Sequence, residues 1–309
     1  MHKPVLLQEA INYLNLKSGK IYVDGTLGEG GHAELILKKT KPQGLLIGID
    51  RDENAIRISK KKLSKYSQRV ILVHDNFCNL ERILSNLNIK GIDGILLDLG
   101  ISTNQIFSER GFSFEGKQIL DMRFDQREKM TAFKIINTYP LQKLIQVFQE
   151  LGEERFSKRI ARNIIQERNK KPIKYNFELV EIIKKSLPVA YIKRPKKHIA
   201  TNIFRALRME VNQEIWSLKK VLKQIPKLLN PYGRVVIISF HSLEDRIVKK
   251  FFQQESKECI CPKESVICLC GHKKRLKIIT PKPIIPSSKE LKENPQSRSA
   301  KLRVAEKLP

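Results

Sequence analysis

The chain reads IYVDGTLGEGGHAELILKKTKPQGLLIGID at residues 21–50, and this stretch decides the fold class. Two short apolar runs, 21–24 and 44–50, each end on an aspartate, and a helical pattern with a glycine-rich start lies between them. Such runs are typical of parallel strands that are buried on both faces and linked by a crossover helix. The stretch therefore predicts the first unit of a doubly wound α/β sheet.

The same pattern continues on both sides of a long interruption. RVILVHD (69–75) and GILLDLG (94–100) are predicted as two more buried strands, and RVVIISF (234–240) as a fifth. LKIIT (276–280) and AKLRVAE (300–306) follow as two final strands. Because these runs alternate with helical segments, the sequence predicts an α/β fold around a largely parallel sheet.

The interruption has the pattern of packed helices. Between about 131 and 187, apolar residues such as Leu144 and Phe148 recur at helical spacing. We also expect a long helix from about 200 to 229, ended by a turn at NPYG (230–233). The predicted organisation is one α/β domain in two parts, 1–107 and 200–309, with a helical substrate-recognition domain inserted at 108–199.

The charge balance indicates a polyanionic partner. The 309 residues include 59 Lys and Arg against 32 Asp and Glu, which gives a net charge of +27. We expect no membrane partner and a cytoplasmic protein, since no apolar run is long enough for a span and the first residues do not form a signal peptide. Two basic clusters are expected to contact nucleic-acid phosphates: Arg155, Lys158, Arg159 and Arg162, and Lys193, Arg194, Lys196 and Lys197.

The segment DGTLGEGGH (24–32) lies between the first strand and the first helix. Its glycines allow a sharp turn and a close approach of the backbone to a ligand. Asp50, at the end of the second strand, can accept hydrogen bonds from both hydroxyls of a ribose. The pattern predicts a nucleotide-type cofactor, but Gly28, Gly30 and Ala33 also fit the dinucleotide spacing, so the loop does not separate NAD from S-adenosylmethionine.

Two further strand ends favour S-adenosylmethionine. Asp75-Asn76-Phe77 follows the third strand, where a polar group and an aromatic ring can hold an adenine. Asp98-Leu99-Gly100 follows the fourth strand, near the point where the strand order of the sheet reverses. The carboxyl ends of parallel strands meet at one edge, and we expect a single ligand crevice there.

The cysteines have an unusual distribution. Cys259, Cys261, Cys268 and Cys270 form C-x-C-x6-C-x-C, a set that can hold zinc, but this spacing is tighter than the usual one. We therefore expect no metal, and either a reduced loop or one that cross-links under oxidation. Cys78 is the one cysteine outside this cluster and a candidate for a covalent nucleophile, but we interpret it as a small packed side chain.

Seven stretches together resemble the RsmH (MraW) family, whose members methylate the N4 amine of cytosine in small-subunit ribosomal RNA. The stretches follow the family order over nearly the whole chain: HKPVLLQEA (2–10), DGTLGEGGH (24–32), DLGIS (98–102), RGFSF (110–114), LDMRFD (120–125), ISFHSLEDRIVK (238–249) and NPQSRSAKLRVAE (294–306).

The resemblance implies a class I (Rossmann-like) S-adenosylmethionine methyltransferase fold with an inserted helical domain. It also implies a 16S ribosomal RNA or 30S-subunit substrate, modified near the decoding centre. The chain departs from the family pattern where Ser102-Thr103 replaces the usual Ser-Ser and Ile106-Phe107 replaces Leu-Asp. These changes bear on substrate contacts and not on the cofactor. The implied cofactor contacts are Gly30, Gly31, His32, Asp50, Phe77, Asp98 and Gln105.

Asp98 is also the predicted catalytic group. The exocyclic amine of cytosine is a poor nucleophile, and a carboxylate that accepts its proton would help; the same carboxylate could instead anchor the amino group of the cofactor. His241, after the fifth strand, is a second candidate on the substrate side. Two other functions stay open: an NAD-dependent dehydrogenase, and a non-catalytic RNA-binding factor for ribosome assembly.

Overall fold

The computed structural model describes residues 3–193, 198–262 and 267–309. Its centre is a seven-stranded sheet with the order β3-β2-β1-β4-β5-β7-β6. The strands are β1 (Ile21–Asp24), β2 (Leu45–Asp50), β3 (Val70–His74), β4 (Ile92–Asp98), β5 (Leu229–Ser239), β6 (Leu276–Ile278) and β7 (Lys301–Lys307).

All seven predicted strands are present, and the sheet has the arrangement of class I methyltransferases. β1 pairs in parallel with β2 and β4, β2 with β3, and β4 with β5. β7 is antiparallel to both of its neighbours, β5 and β6. The expected α/β fold class is therefore confirmed.

Helices cover both faces of the sheet and continue through the middle of the chain. Among the residues that the structure describes, no helix is both long enough and apolar enough to cross a bilayer. The helices are α1 (Leu7–Tyr13), α2 (Gly31–Lys39), α3 (Glu53–Lys62), α4 (Leu80–Asn86), α5 (Thr103–Ile106), α6 (Ala132–Thr138), α7 (Leu141–Glu150), α8 (Ser157–Lys170), α9 (Asn176–Ser186), α10 (Val189–Lys193), α11 (Thr201–Val211), α12 (Glu214–Leu228), α13 (Ser242–Glu255) and α14 (Ser288–Glu293).

The chain divides into two compact units. The first consists of Met1–Gly100 and Trp216–Pro309, and the second of Ile101–Ile215. In the first unit the sheet has an apolar core on each face, with Ile95 and Leu97 of β4 in one core and Leu96 in the other. Successive side chains of a strand point to opposite faces, so a strand covered on both faces must be apolar throughout.

The second unit has its own core, built almost entirely from helices. Leu144 and Phe148 of α7 pack with Ile160 and Ile164 of α8, all fully buried, as the helical spacing predicts. Asn212 binds the non-helical segment near the start of this unit. Its side chain accepts a hydrogen bond from Phe124 N at 2.8 Å and donates one to Met122 O at 2.7 Å. Burying an amide is favourable here because both of its polar ends are paired.

The predicted long helix from about 200 to 229 is wrong, because the structure has two helices there. The first ends at Val211, and Gln213 adopts a left-handed conformation with φ of 49° before α12 begins. Arg208 and Glu214 form an ion pair at 2.8 Å across this break. The predicted turn at NPYG (230–233) lies inside β5, where Tyr232 has a φ of 64° and the register against β4 shifts.

Candidate cofactor site at the carboxyl ends of the strands

The structure brings the carboxyl ends of β1, β2, β3 and β4 together at one edge of the sheet. Asp24, Asp50 and Asp98 are the last residues of β1, β2 and β4. The edge is held by hydrogen bonds from backbone amides: Asp75 N donates to the backbone Asp50 O at 3.0 Å, and Asp98 N donates to the side-chain Thr26 Oγ1 at 2.6 Å. Three aspartates therefore share a small region of the first unit.

The glycine loop between β1 and α2 is fixed on one side and open on the other. Gly28 has a φ of 51°, a left-handed conformation that a residue with a side chain rarely adopts. Its N–H donates to Asp50 Oδ2 at 2.8 Å, and its carbonyl accepts from Ser59 Oγ at 2.7 Å. A Cβ on Gly28 would meet nothing nearer than Thr26 O at 3.9 Å, which leaves room for a ligand beside the loop.

Gly30 and Gly31, both predicted to touch a cofactor, form the start of α2. Gly30 precedes the helix with a φ of 74°. A Cβ on Gly31 would come within 2.3 Å of Pro4 Cγ, so this position needs glycine for packing whether or not a ligand is bound. The contact with Pro4 thus explains why residue 31 is a glycine, independently of any ligand.

Asp50 is held by two backbone donors. Gly28 N donates to Oδ2 and Asp52 N donates to Oδ1, each at 2.8 Å. Burial raises the pKa of the Asp50 carboxyl to about 6, although the two hydrogen bonds act in the opposite direction. Each carboxylate oxygen has a further lone pair, so this side chain is oriented to accept from the hydroxyls of a ribose.

Asp24 and Asp98 each have a buried oxygen with no hydrogen-bond partner among the described residues. The atoms are Asp24 Oδ2 and Asp98 Oδ1. Burial raises the pKa of Asp24 to about 7. Burial also raises the pKa of Asp98 well above its ordinary value, and the negative charges of Asp24 and Glu244 raise it further. Unsatisfied buried acceptors cost free energy, and a cationic or hydrogen-donating ligand would remove that cost.

His32 lies beside Asp98. Its side chain is buried, and Nε2 is 3.2 Å from Val5 O. A carbonyl oxygen only accepts, so Nε2 must carry a hydrogen. Nδ1 lies 3.8 Å from Asp98 Oδ2. The ring is therefore fixed by the N-terminal segment and faces the strand-four carboxylate.

Phe77 follows β3 and begins a short helical turn, Phe77–Asn79. The polar residues before it hold this turn: Asn76 accepts from Cys78 N at 3.0 Å and donates to Ser217 Oγ at 3.0 Å. Burial would raise the pKa of Asp75, but hydrogen bonds from Asn79, Asn76 N and Arg82 outweigh it and lower that pKa. Of this segment, the Phe77 ring is the group best suited to an adenine.

Gln105, the remaining predicted cofactor contact, belongs to the second unit. It lies in α5, where Ser102 Oγ accepts from Gln105 N at 3.2 Å and Gln105 Oε1 accepts from Ser102 N at 3.0 Å. This reciprocal pair is a capping box, which fixes the start of the helix. Contact between Gln105 and a cofactor stays a prediction.

His241 has a local task at the start of α13. Its Nδ1 accepts from Glu244 N at 3.4 Å, so the histidine side chain caps the helix. Its Nε2 lies 3.1 Å from Glu244 Oε1. The substrate role considered for His241 stays a prediction.

Sequence reasoning missed two carboxylates of this region, Asp24 and Glu244. Both are buried, and the charge of each raises the pKa of Asp98. Asp24 could have been found, because it ends a buried strand as Asp50 and Asp98 do. Glu244 had no comparable signal, since an acidic residue in the first turn of a helix is common at the surface.

Four predicted basic side chains of the second unit, at the start of α8 and just before it, are exposed. Arg155, Lys158, Arg159 and Arg162 are all exposed, whereas Ile160 and Ile164 point from the opposite side of α8 into the core. Of the other predicted basic run, Lys193 ends α10, and Arg194, Lys196 and Lys197 lie outside the described residues. Exposed Lys and Arg on a rigid helix can contact phosphates without a large desolvation cost.

Comparison with known proteins gives matches over the whole chain. The model of the MraW methylase family matches residues 1–308. A protein from Halothermothrix orenii is 49% identical over 308 residues, 99% of this chain and 98% of that protein. One from Carboxydothermus hydrogenoformans is 47% identical with the same coverage. One from Clostridioides difficile is 46% identical and covers 99% of each chain. All three are named ribosomal RNA small subunit methyltransferase H.

Proposed function

The chain belongs to the MraW methylase family, and from this premise we propose that it methylates the N4 amine of a cytidine in small-subunit ribosomal RNA. It is an S-adenosylmethionine-dependent ribosomal RNA methyltransferase. We further propose that the substrate is the 16S RNA within the 30S subunit, and that the modified cytidine lies near the decoding centre. Such a substrate places the enzyme in the cytoplasm.

The observation that carries this function is the group of buried carboxylates at the strand ends. Asp24 Oδ2 and Asp98 Oδ1 lack hydrogen-bond partners within the described part of the chain, and burial raises the pKa of both carboxyls. S-adenosylmethionine has a sulfonium and an ammonium group, so its positive charge offsets this penalty. The pyrophosphate of NAD would instead add negative charge, which argues against a dehydrogenase.

The remaining contacts follow from the same edge of the sheet. We assign Asp50 to the ribose hydroxyls and Phe77 to the adenine ring of the cofactor. At Gly30 and Gly31, on the open side of the glycine loop, the backbone is proposed to approach the cofactor closely. His32 and Asp98 are assigned to the methionine end, because they lie beside each other. Gln105 completes the proposed set.

For methyl transfer, the protein needs mainly to position the two reactants and to accept one proton from the amine. When bound, S-adenosylmethionine supplies a methyl group that is already activated by its sulfonium. Asp98 has two compatible roles: it can hold the amino group of the donor, or accept a hydrogen bond from cytosine N4 and so localise the lone pair of that amine. Because burial raises the pKa of Asp98, its carboxylate form binds a proton more strongly than an exposed aspartate does.

The helical unit is proposed to hold the RNA. We keep the sequence-based boundaries, 108–199, for the inserted substrate-recognition domain, with the basic face of α8 as its phosphate-binding surface. An exposed row of cations on a packed helix is suited to backbone phosphates, which give affinity without base specificity.

Mass spectrometry of nucleosides from small-subunit ribosomal RNA tests the function directly. RNA from cells that lack the protein should lose an N4-methylated cytidine, and the wild-type chain with S-adenosylmethionine should restore it in vitro. A non-catalytic assembly factor would leave this nucleoside unchanged. Cytidine methylated at C5 would point back to Cys78, although this thiol is buried and burial raises its pKa, which disfavours the reactive thiolate.

A further inference from the structure

The four clustered cysteines lie in the loop that joins α13 to β6. The Sγ atoms of Cys259, Cys261, Cys268 and Cys270 all lie within 4.8 Å of one another. The distance from Cys259 Sγ is 3.4 Å to Cys268 Sγ and 3.7 Å to Cys270 Sγ, and these last two are 3.6 Å apart. Residues from two separate C-x-C pairs therefore come to one point.

These distances match a tetrahedral metal site. With zinc–sulfur bonds of about 2.3 Å, tetrahedral geometry places the sulfur atoms about 3.8 Å apart. The structure brings the sulfur atoms to nearly this spacing, and all four potential ligand atoms are sulfur. Four thiolates in a tetrahedral arrangement select zinc among the common divalent cations, or iron in a redox site.

Backbone amides point at two of the sulfurs. Ile260 N donates to Cys270 Sγ at 3.5 Å, and Cys261 N donates to Cys259 Sγ at 3.4 Å. Such donors stabilise the negative charge that a thiol acquires when it binds a metal, and they orient the ligand atoms. The first C-x-C turn thus supplies two ligands and also an amide donor to one sulfur of each turn.

The loop has no apolar core of its own in its described part. Ile267 and Leu269 are 71% and 88% exposed, and Ile260 is also exposed. Its base is fixed to α13, since Arg275 forms a two-pronged ion pair with Glu255 and His272 Nε2 lies 3.1 Å from Gln254 O. A fixed base with no apolar packing at the tip is the situation in which small metal sites replace a core.

We propose that Cys259, Cys261, Cys268 and Cys270 bind one Zn²⁺ as four thiolates, in a closed structural site that orders this loop. Each thiol loses its proton to solvent on binding, and the complex has a net charge of −2. No position is left for water, so the metal takes no part in methyl transfer. The C-x-C spacing is tighter than in most zinc sites, but the two turns face each other and bring all four sulfur atoms within reach of one ion.

The test is metal content of the full-length protein, purified with a phosphine reductant and without chelator. Elemental analysis should give one zinc per chain. The double variant Cys268→Ser/Cys270→Ser should lose it, whereas Cys78→Ser, which changes the one cysteine outside the loop, should retain it. Cobalt added to the chelated protein should give the sulfur-to-cobalt charge-transfer and visible bands of a tetrahedral four-thiolate site.

Stability and thiol reactivity provide the second readout. Removing zinc should lower the Tm and make the four loop thiols react rapidly with a disulfide reagent, and adding zinc should reverse both changes. S-adenosylmethionine binding by the double variant shows that it is folded. Zinc well below one per chain after reconstitution, stoichiometric iron, or loop thiols that react equally fast with and without zinc would each overturn the proposal.

Discussion

The two units of this protein handle charge in opposite ways. The first unit keeps acidic groups buried at the ends of its strands, where Asp24 and Asp98 have oxygens that no described residue satisfies. The second unit exposes basic groups on the face of α8, with its apolar side in the core. Buried acids select a compact ligand of positive charge, whereas exposed bases attract an extended polyanion of any sequence.

The buried acids and the exposed bases also differ in how much each affects the stability of the fold. An exposed Lys or Arg remains hydrated and costs the fold little. A buried carboxylate costs free energy in the protein without ligand, and this cost is recovered only when a suitable ligand binds. Substitutions in the two regions should therefore change different observables, and that expectation can be tested.

The largest effect is expected at Asp98. Asp98→Asn keeps the size of the side chain and removes its charge, so methyl transfer should fall at least ~100-fold. A fall that appears as weaker S-adenosylmethionine binding indicates an anchor for the donor, and intact binding with slow chemistry indicates an acceptor for the amine. Near-normal turnover would eliminate both roles.

Asp93→Asn is the matched control for that experiment. Asp93 lies near the start of the same strand, where Oδ2 accepts from Ile21 N at 2.9 Å, and it is outside the proposed site. This variant should keep methyl-transfer activity close to that of the wild type. An equal loss in both variants would mean that β4 is merely sensitive to substitution.

The next effect is expected at Asp50. Asp50→Ala removes the proposed partner of the ribose hydroxyls, and hydrogen bonds to a charged group contribute about 1.5–3 kcal/mol each. The Kd for S-adenosylmethionine, measured by calorimetry, should rise roughly 30-fold or more, and the rise in Tm on adding the donor should shrink. Unchanged affinity would remove Asp50 from the site.

Asp24 should show the cost of a buried acid through pH. Its pKa rises from 3.8 in the unfolded chain to about 7, so the unfolded state ionises first and the folded state loses stability as pH rises between these values. Asp24→Asn removes this loss. In urea titrations without ligand, the variant should match the wild type near pH 4 and be more stable by on the order of 4 kcal/mol at pH 8.

Asp75→Asn serves as a control of opposite sign. Hydrogen bonds lower the pKa of Asp75 despite its partial burial, so its charge stabilises the folded state above the unfolded pKa and this contribution disappears as the pH falls. Asp75→Asn should therefore be less stable than the wild type at pH 8. A gain of stability in both variants would contradict the assigned causes.

The smallest effect is expected on the basic face. Replacing Lys158, Arg159 and Arg162 with Ala should weaken RNA binding by roughly tenfold and reduce its salt dependence, because fewer counterions are released. Lys60, Lys61 and Lys62 are exposed on α3 of the first unit, and the same triple replacement there removes an equal charge. If both triple variants behave alike, only net charge matters and the second unit has no special role.

Much of the fold was predictable because buried parallel strands have a strong local signature. Ile21–Asp24 and Leu45–Asp50 were expected almost to the residue, since each is a continuous apolar run closed by an aspartate. The long helix was predicted wrongly at Gln213. The break follows Asn212, and two of the partners of its side chain, Phe124 N and Met122 O, lie about 90 residues earlier in the chain. No local pattern reveals these two contacts.

Part of the candidate site was also predictable from the sequence. Asp50 and Asp98 were proposed because carboxyl ends of parallel strands meet at one edge, and the structure places them there. Glu244 was not, because only the return of the chain through β5 brings α13 to Asp98. The cysteine loop shows the same limit, since the spacing alone does not reveal that four sulfur atoms lie within 4.8 Å of one another.

The sequence by itself determined the α/β class, the strand-end aspartates and the family, because these depend on periodicity and motif order along the chain. Only the tertiary structure decided which groups are buried without partners and which thiols meet. Burial and proximity depend on segments far apart in sequence, and they set the electrostatic cost of each charge. The pKa values of Asp24 and Asp98 are therefore properties of the folded sheet, not of the residues that the sequence spells out.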